Sequence, residues 1–234
     1  MKENIQEIPA IAGGTPVRDT KISYGHQYLD EADYQAVLDV LKNGPLTCGP
    51  KIEELEDKLC RITGARHAVS VSNGTAALHI ACLAAGVGEG DEVITTFAAS
   101  ANCALYCGAK PVFADINEKT YEIDPASVES CITEKTKAVV AVDYTGQSAD
   151  LKALRKICDE HKLVLITDGA HSIGTFYDGK PTGSIADMTT FSFHPVKTVT
   201  AGEGGAVMTD SDELYKRLVL FSKHGITRNP DWLE

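Results

Sequence analysis

Apolar runs of strand length alternate with helical patterns from about residue 67 onward, and this alternation constrains the fold more than any other feature of the chain. Strict succession of the two patterns is the signature of a mainly parallel sheet covered by helices on both faces. Residues 67–72, 92–96, 111–115, 138–143 and 163–168 read as strands, separated by helices at 75–85, 100–107, 125–132 and 151–161. Residues 188–193 and 205–209 read as two further strands joined by a loop, followed by a helix over 212–224. The expectation is a three-layer α/β/α domain on a mixed, mainly parallel sheet of about seven strands.

The N-terminal stretch contains Pro9, Gly13, Gly14 and Pro16 without sustained periodicity, so residues 1–30 are expected to form an extended arm of the kind that packs on a partner subunit. Asp30 can cap a helix running through Val37, Leu38 and Leu41 to Gly44, and Pro50 can open a second one to Gly64. The Gly- and Pro-rich loop between them, 44–50, reads equally as a pocket wall or a plain connector. Residues 31–234 form one domain; the chain stops just past a helix at Asn229-Pro230-Asp231-Trp232-Leu233-Glu234, and more protein is expected to follow.

The formal charge of -11, from 22 basic against 33 acidic residues, argues against nucleic acid or an anionic membrane as partner, both of which reward clustered Lys and Arg. The sequence has no apolar run of membrane-spanning length and no signal-type stretch after Met1, so the cytoplasm is the expected address. Seven cysteines, an odd and scattered set, suit reduced thiols better than a disulfide framework. Cys103 and Cys107 lie one helical turn apart, but no second pair stands at ligand spacing, so packing is favoured and no metal is expected.

Ser72-Asn73-Gly74-Thr75-Ala76-Ala77 falls where a strand gives way to a helix, and free N–H groups at a helix start form an anion site suited to phosphate. Gly86-Val87-Gly88-Glu89-Gly90 follows a helix and precedes a strand, the reverse of a dinucleotide fingerprint, and reads as a turn. Asp168 closes a strongly apolar strand, where an acid can pair with a buried positive nitrogen, and His171 follows one turn later. Lys197, after Phe191-Ser192-Phe193-His194-Pro195-Val196 and ahead of a small-residue loop, is a candidate imine-forming amine.

Taken singly, each of these has an ordinary structural explanation. Together, a phosphate cradle, Phe97 on a strand-end loop, the carboxylate of Asp168, Ser192 and Lys197 supply what a pyridine-ring aldehyde phosphate needs: an anion seat, a stacking face, a counterion for the ring nitrogen and an amine.

From about Asp30 to Gly225 the sequence resembles the DegT/DnrJ/EryC1/StrS sugar aminotransferases, pyridoxal-phosphate enzymes of fold type I. The likeness rests on Ser72-Asn73-Gly74-Thr75-Ala76-Ala77-Leu78-His79, Gly90-Asp91-Glu92-Val93-Ile94, Thr96-Phe97-Ala98-Ala99-Ser100-Ala101-Asn102, Gly108-Ala109-Lys110-Pro111-Val112-Phe113, and Phe191-Ser192-Phe193-His194 ahead of Lys197. Leu46-Thr47-Cys48-Gly49-Pro50 and Val142-Asp143-Tyr144-Thr145-Gly146-Gln147 look most like the branch that aminates a UDP-linked 4-keto-6-deoxy-N-acetyl sugar on the pseudaminic acid pathway, with glutamate as donor.

The resemblance implies that Lys197 carries pyridoxal 5'-phosphate as a Schiff base and shuttles the proton. It implies that Asp168 keeps the ring nitrogen protonated, Phe97 stacks on the ring and His171 faces its hydroxyl. Gly74, Thr75, Ala76 and Ser192 would hold the phosphate, and Thr47 and Tyr144 would lie on the sugar-nucleotide side. It also implies a homodimer.

Three positions depart from the family pattern: Thr167 precedes Asp168 where many relatives have an acid, Gly169 replaces Ala or Ser, and His171 stands where others use Gln. Some relatives are dehydratases with histidine at the lysine position, so Lys197 favours transamination. Relatives also use a later asparagine that reaches the neighbouring subunit's phosphate, and a small C-terminal domain; neither falls within these 234 residues, so this stretch alone is expected to turn over little. Two other readings stay open: a non-catalytic or regulatory protein of the same fold, and a pyridoxal-phosphate enzyme acting on an amino acid.

Overall fold

A computed structural model describes residues 8–23, 25–96, 99–227 and 229–232. Seven strands form one sheet in the order β1 (His67–Val71), β9 (Gly205–Thr209), β8 (Met188–Ser192), β5 (Val164–Asp168), β4 (Thr136–Val142), β2 (Glu92–Thr95) and β3 (Lys110–Phe113). β9 is antiparallel to both β1 and β8, and every other pairing is parallel, so β9 alone runs against the rest. The carboxyl ends of the other six therefore share one edge of the sheet.

Side chains alternate across the strands and fill two helix–sheet layers. Val140 and Ile166 face α3 (Gly74–Ala84) and α7 (Asp212–Ser222), packing with Ala77, Ala81 and Leu218. Their neighbours Val139 and Leu165 face α5 (Pro125–Cys131) and α6 (Leu151–His161), packing with Val128, Leu151 and Leu154. A third cluster joins Leu59 of α2 (Pro50–Thr63) to Phe191 and Met208 at the β8–β9 side. Because β5 is covered on both faces, its apolar run is continuous, as the sequence pattern requires.

Helix starts follow the expected chemistry. Asp30 accepts from Ala32 and Asp33 N–H and opens α1 (Glu31–Asn43) with a reciprocal capping box, and Ser211 caps α7. Two elements differ from expectation. The segment expected to be one helix over 100–107 is a 3-10 turn, Ala99–Ala101, followed by α4 (Asn102–Tyr106). A hairpin of β6 (Phe176–Tyr177) and β7 (Lys180–Pro181) turns through Asp178 and Gly179 at φ 50° and 77°; two-residue strands are too short to leave a periodic signal. α1 buries no residue, and Tyr34, Val37, Leu38 and Leu41 are exposed along it.

Candidate active site

The anion seat is built by close backbone approach. Asn73 Oδ1 accepts from Ala76 N–H at 2.8 Å and caps α3, leaving the N–H groups of Gly74 and Thr75, the first two of the helix, outside the helical ladder. Gly205 of β9 makes room: a Cβ there would stand 2.5 Å from Asn73 O and 2.8 Å from Gly74 N. Gly74 in turn lies against Ser192, where an added Cβ would meet Ser192 Cβ at 2.7 Å. Of the four residues expected to hold phosphate, Gly74, Thr75 and Ser192 line one cavity of about 450 Å³, whereas the Ala76 N–H is engaged by the cap.

Lys197 lines the same cavity. It sits on the loop between β8 and β9, which is pinched at its neck: Phe193 N–H donates to Gly204 O at 2.8 Å, and Phe193 O accepts from Ala201 N–H at 3.0 Å and Thr200 Oγ1 at 3.1 Å. Gln27 Nε2 donates to Pro195 O at 2.9 Å, tying the N-terminal segment to the loop. On that side a second cavity of about 850 Å³ lies between His26, Gln27, Tyr28 and Asp33 and the 195–200 stretch, so Lys197 stands between two open spaces.

Lys197 Nζ lies 2.7 Å from His171 Nε2, and Thr198 Oγ1 donates to His171 O at 3.2 Å. Loss of solvent and the charge of Lys197 hold the His171 imidazole below its usual pKa, against the opposing pull of Asp168. His171 is therefore neutral at pH 7, with Nε2 as acceptor for the lysine.

Asp168 ends β5 and is 8% exposed. Its Oδ2 accepts from Ser100 Oγ at 2.5 Å and its Oδ1 from Ala170 N–H at 3.2 Å. No lysine or arginine among the described residues forms an ion pair with it. A buried carboxylate held by neutral donors alone lacks a cation, and a protonated ring nitrogen supplies one. With an amine, an anion seat and this acid at one sheet edge, the residues present fit pyridoxal phosphate.

Thr47 and Tyr144 are not brought to the Lys197 cavity. Thr47 is exposed in the 44–50 loop, and Tyr144 lines a separate pocket of about 210 Å³ with Thr96, Ile116, Tyr121 and Val142. Phe97 lies outside the described residues. Sequence reasoning missed Ser100 as the partner of Asp168 and Asn73 as the cap. Asn73 carried a local signal, an Asn before a helix start, whereas the Ser100 contact spans 68 positions and leaves none.

Residues 27–233 match the DegT/DnrJ/EryC1/StrS aminotransferase family. The chain belongs to this family. It is 41% identical over 214 residues to the spore coat polysaccharide biosynthesis protein SpsC of Bacillus subtilis, covering 90% of this chain and 55% of SpsC. Among solved structures it superposes on DesI, crystallised with its TDP-sugar product, with TM-score 0.87 and 38% identity over 94% of this chain and 57% of DesI. It superposes on PseC of Helicobacter pylori, an aminotransferase of pseudaminic acid biosynthesis, with TM-score 0.84 and 36% identity over 90% and 58% of the two chains. The chain thus spans about half the length of these relatives. A further structural match at 35% identity is solved in both pyridoxal and pyridoxamine phosphate forms. The mixed, mostly parallel sheet with flanking helices is the fold shared with these aminotransferases.

Proposed function

We propose that this chain is the cofactor-holding part of a pyridoxal-phosphate-dependent aminotransferase that moves an amino group from glutamate to a nucleotide-linked 4-keto-6-deoxy sugar. The observation that carries the reading is the convergence of Lys197, His171, Asp168 and the α3 start at one sheet edge, in a chain of this family. The cofactor, when bound, supplies an electron-withdrawing ring that stabilises negative charge on the carbon losing its proton.

The chain's own residues do the rest. The Gly74 and Thr75 N–H groups and Ser192 Oγ bind the phosphate at the positive end of the α3 dipole. Asp168 holds a proton on the ring nitrogen, with Ser100 fixing the carboxylate. Lys197 Nζ would anchor the cofactor and would be the group that moves the proton; neutral His171 Nε2 orients it by accepting a hydrogen bond. Thr47, Tyr144 and Phe97 keep the roles the resemblance gives them, Thr47 and Tyr144 toward the sugar nucleotide and Phe97 against the ring.

SpsC, DesI and PseC carry names or products that concern sugars, which supports a sugar substrate. The 142–147 segment supports the pseudaminic acid branch. A homodimer would cover the exposed apolar face of α1. A cytoplasmic location agrees with seven unpaired cysteines and with the lack, among the described residues, of a helix long and apolar enough to cross a membrane. The deciding experiment loads the protein with pyridoxal phosphate, reduces it with borohydride and maps the label by mass spectrometry, then offers keto sugar nucleotides with glutamate. A label at Lys197 is expected of these 234 residues, and amination of one sugar is expected of the full-length protein; a colourless, unlabelled protein would end the proposal.

A further inference from the structure

Behind the site lies a second buried acid that the reaction as described does not use. Asp143 follows β4 and is 1% exposed. Its Oδ2 accepts from Ser172 Oγ at 2.6 Å and its Oδ1 from Ala149 N–H at 3.1 Å, while its own N–H donates to Asp168 O at 3.0 Å. Ser172 N–H closes a tight turn onto Gly169 O at 2.9 Å, and that turn carries His171.

The turn has little freedom. A Cβ on Gly169 would stand 2.9 Å from Ser172 Oγ, and a Cβ on Gly146 would stand 2.9 Å from His171 O. Asp143 has no lysine or arginine in ion-pair range among the described residues. The charged and titratable groups facing it are Asp168 and Glu122, both acids. A neutral amide has one acceptor oxygen and could not take both hydrogen bonds, so the two donors, Ser172 Oγ and Ala149 N–H, call for a carboxylate here although its burial is costly.

We propose that Asp143 is a positioning residue of this site: through Ser172 it fixes the turn that presents His171 to Lys197, and its charge adds to that of Asp168 in favouring positive charge at the sheet edge. The inference rests on the proposed cofactor site for its consequence in catalysis, but the positioning itself can be read without cofactor. Burial and the charge of Asp168 push the Asp143 carboxyl up to about 6, against its hydrogen bonds to Ser172 and Ala149, so it is ionised above that pH.

The test follows His171 by NMR titration in the whole, ligand-free protein, its resonance assigned by its loss in H171Q. The groups acting on His171 are Lys197, which lowers its midpoint, and Asp168, which raises it. D143N keeps the size but puts a donor where one of the two acceptor oxygens was, so the turn should loosen, His171 should draw back from Lys197 and its midpoint should rise toward the ordinary value. S172A keeps the charge but frees the turn, so His171 should withdraw from Lys197 and its midpoint should rise toward the ordinary value; S172T should restore it. A rise in both variants, undone by S172T, is not expected of a residue that only packs. After loading with pyridoxal phosphate, D143N should also lower the pH of the cofactor's absorbance transition. If D143N does not fold, the S172A and S172T pair decides. An unmoved His171 midpoint in a folded D143N or S172A overturns the inference. A colourless wild type overturns the cofactor reading instead and leaves the titration standing.

Discussion

Lys197 Nζ and His171 Nε2 are 2.7 Å apart although 26 positions separate them in the chain, and the ring of His171 is kept neutral by lost solvent and by the lysine's own charge. A glutamine amide oxygen can accept the same hydrogen bond, whereas alanine cannot. We expect H171Q to keep kcat within a few-fold and H171A to lose roughly tenfold to a hundredfold from misplacement of the lysine. Steady-state kinetics on the two variants checks this; equal losses would remove His171 from the positioning of Lys197.

Asp168 should be the most sensitive acid. D168N keeps the Ser100 and Ala170 contacts in outline but removes the charge, and kcat should fall by about 10²–10⁴. S100A leaves the charge and should lose much less. The absorbance spectrum of the loaded protein distinguishes a lost charge from a lost fold.

Gly205→Ala tests the anion seat. A Cβ at 2.5 Å from Asn73 O cannot be absorbed by a side-chain rotation, because the neighbour is backbone. The start of α3 must shift, at a cost of about 1–3 kcal/mol. Thermal unfolding should report the destabilisation, and equilibrium dialysis should report weaker retention of pyridoxal phosphate.

Glu122 governs a pH dependence of stability. It is 4% exposed and burial, with the nearby charge of Asp143, pushes its carboxyl up to about 7, against one hydrogen bond from Tyr144 N–H. The folded state then holds the proton more tightly than the unfolded chain. Its contribution is fully present below the unfolded carboxyl range near 4.5 and is lost as pH rises through about 7. E122Q should therefore gain stability relative to wild type above pH 7, by about 1–3 kcal/mol, and the gain should vanish toward pH 4. Denaturant titrations across that range, taken as a difference between the two proteins, check the sign.

The exposed face of α1 predicts self-association through it. Leu38→Glu combined with Leu41→Glu changes two exposed positions of a helix that buries no residue, so the fold should survive while the dimer dissociates. Sedimentation of both proteins at equal concentration would show it, and a wild type that sediments as a monomer would refute it.

The parts of this structure that were legible in advance are those written in local pattern. Continuous apolar runs marked β4 and β5, and Asp30 and Pro50 marked helix starts by chemistry that acts within three residues. The same holds for the candidate site residues: Asp168 and Ser192 end strands visible in sequence, and Lys197 follows on the loop after the second of them. What could not be read is contact across the sheet edge. Ser100 reaches Asp168, Ser172 reaches Asp143 and Gln27 reaches Pro195 because strand order brings distant loops together, and strand order has no local mark. The hydrogen bond that engages the Ala76 N–H was hidden for a different reason: Asn73 was visible as a turn residue, but which donor it takes depends on its rotamer.

The neck at Phe193 gives the lysine loop a property of a socket. Three hydrogen bonds meet where the chain leaves β8 and returns to β9, one of them from the Thr200 side chain, so residues 194–199 lie beyond a closed ring. A scaffold arranged in this way lets the side chain at 197 be exchanged at small expense to the sheet, and one backbone can then serve reactions that differ in the single group mounted there.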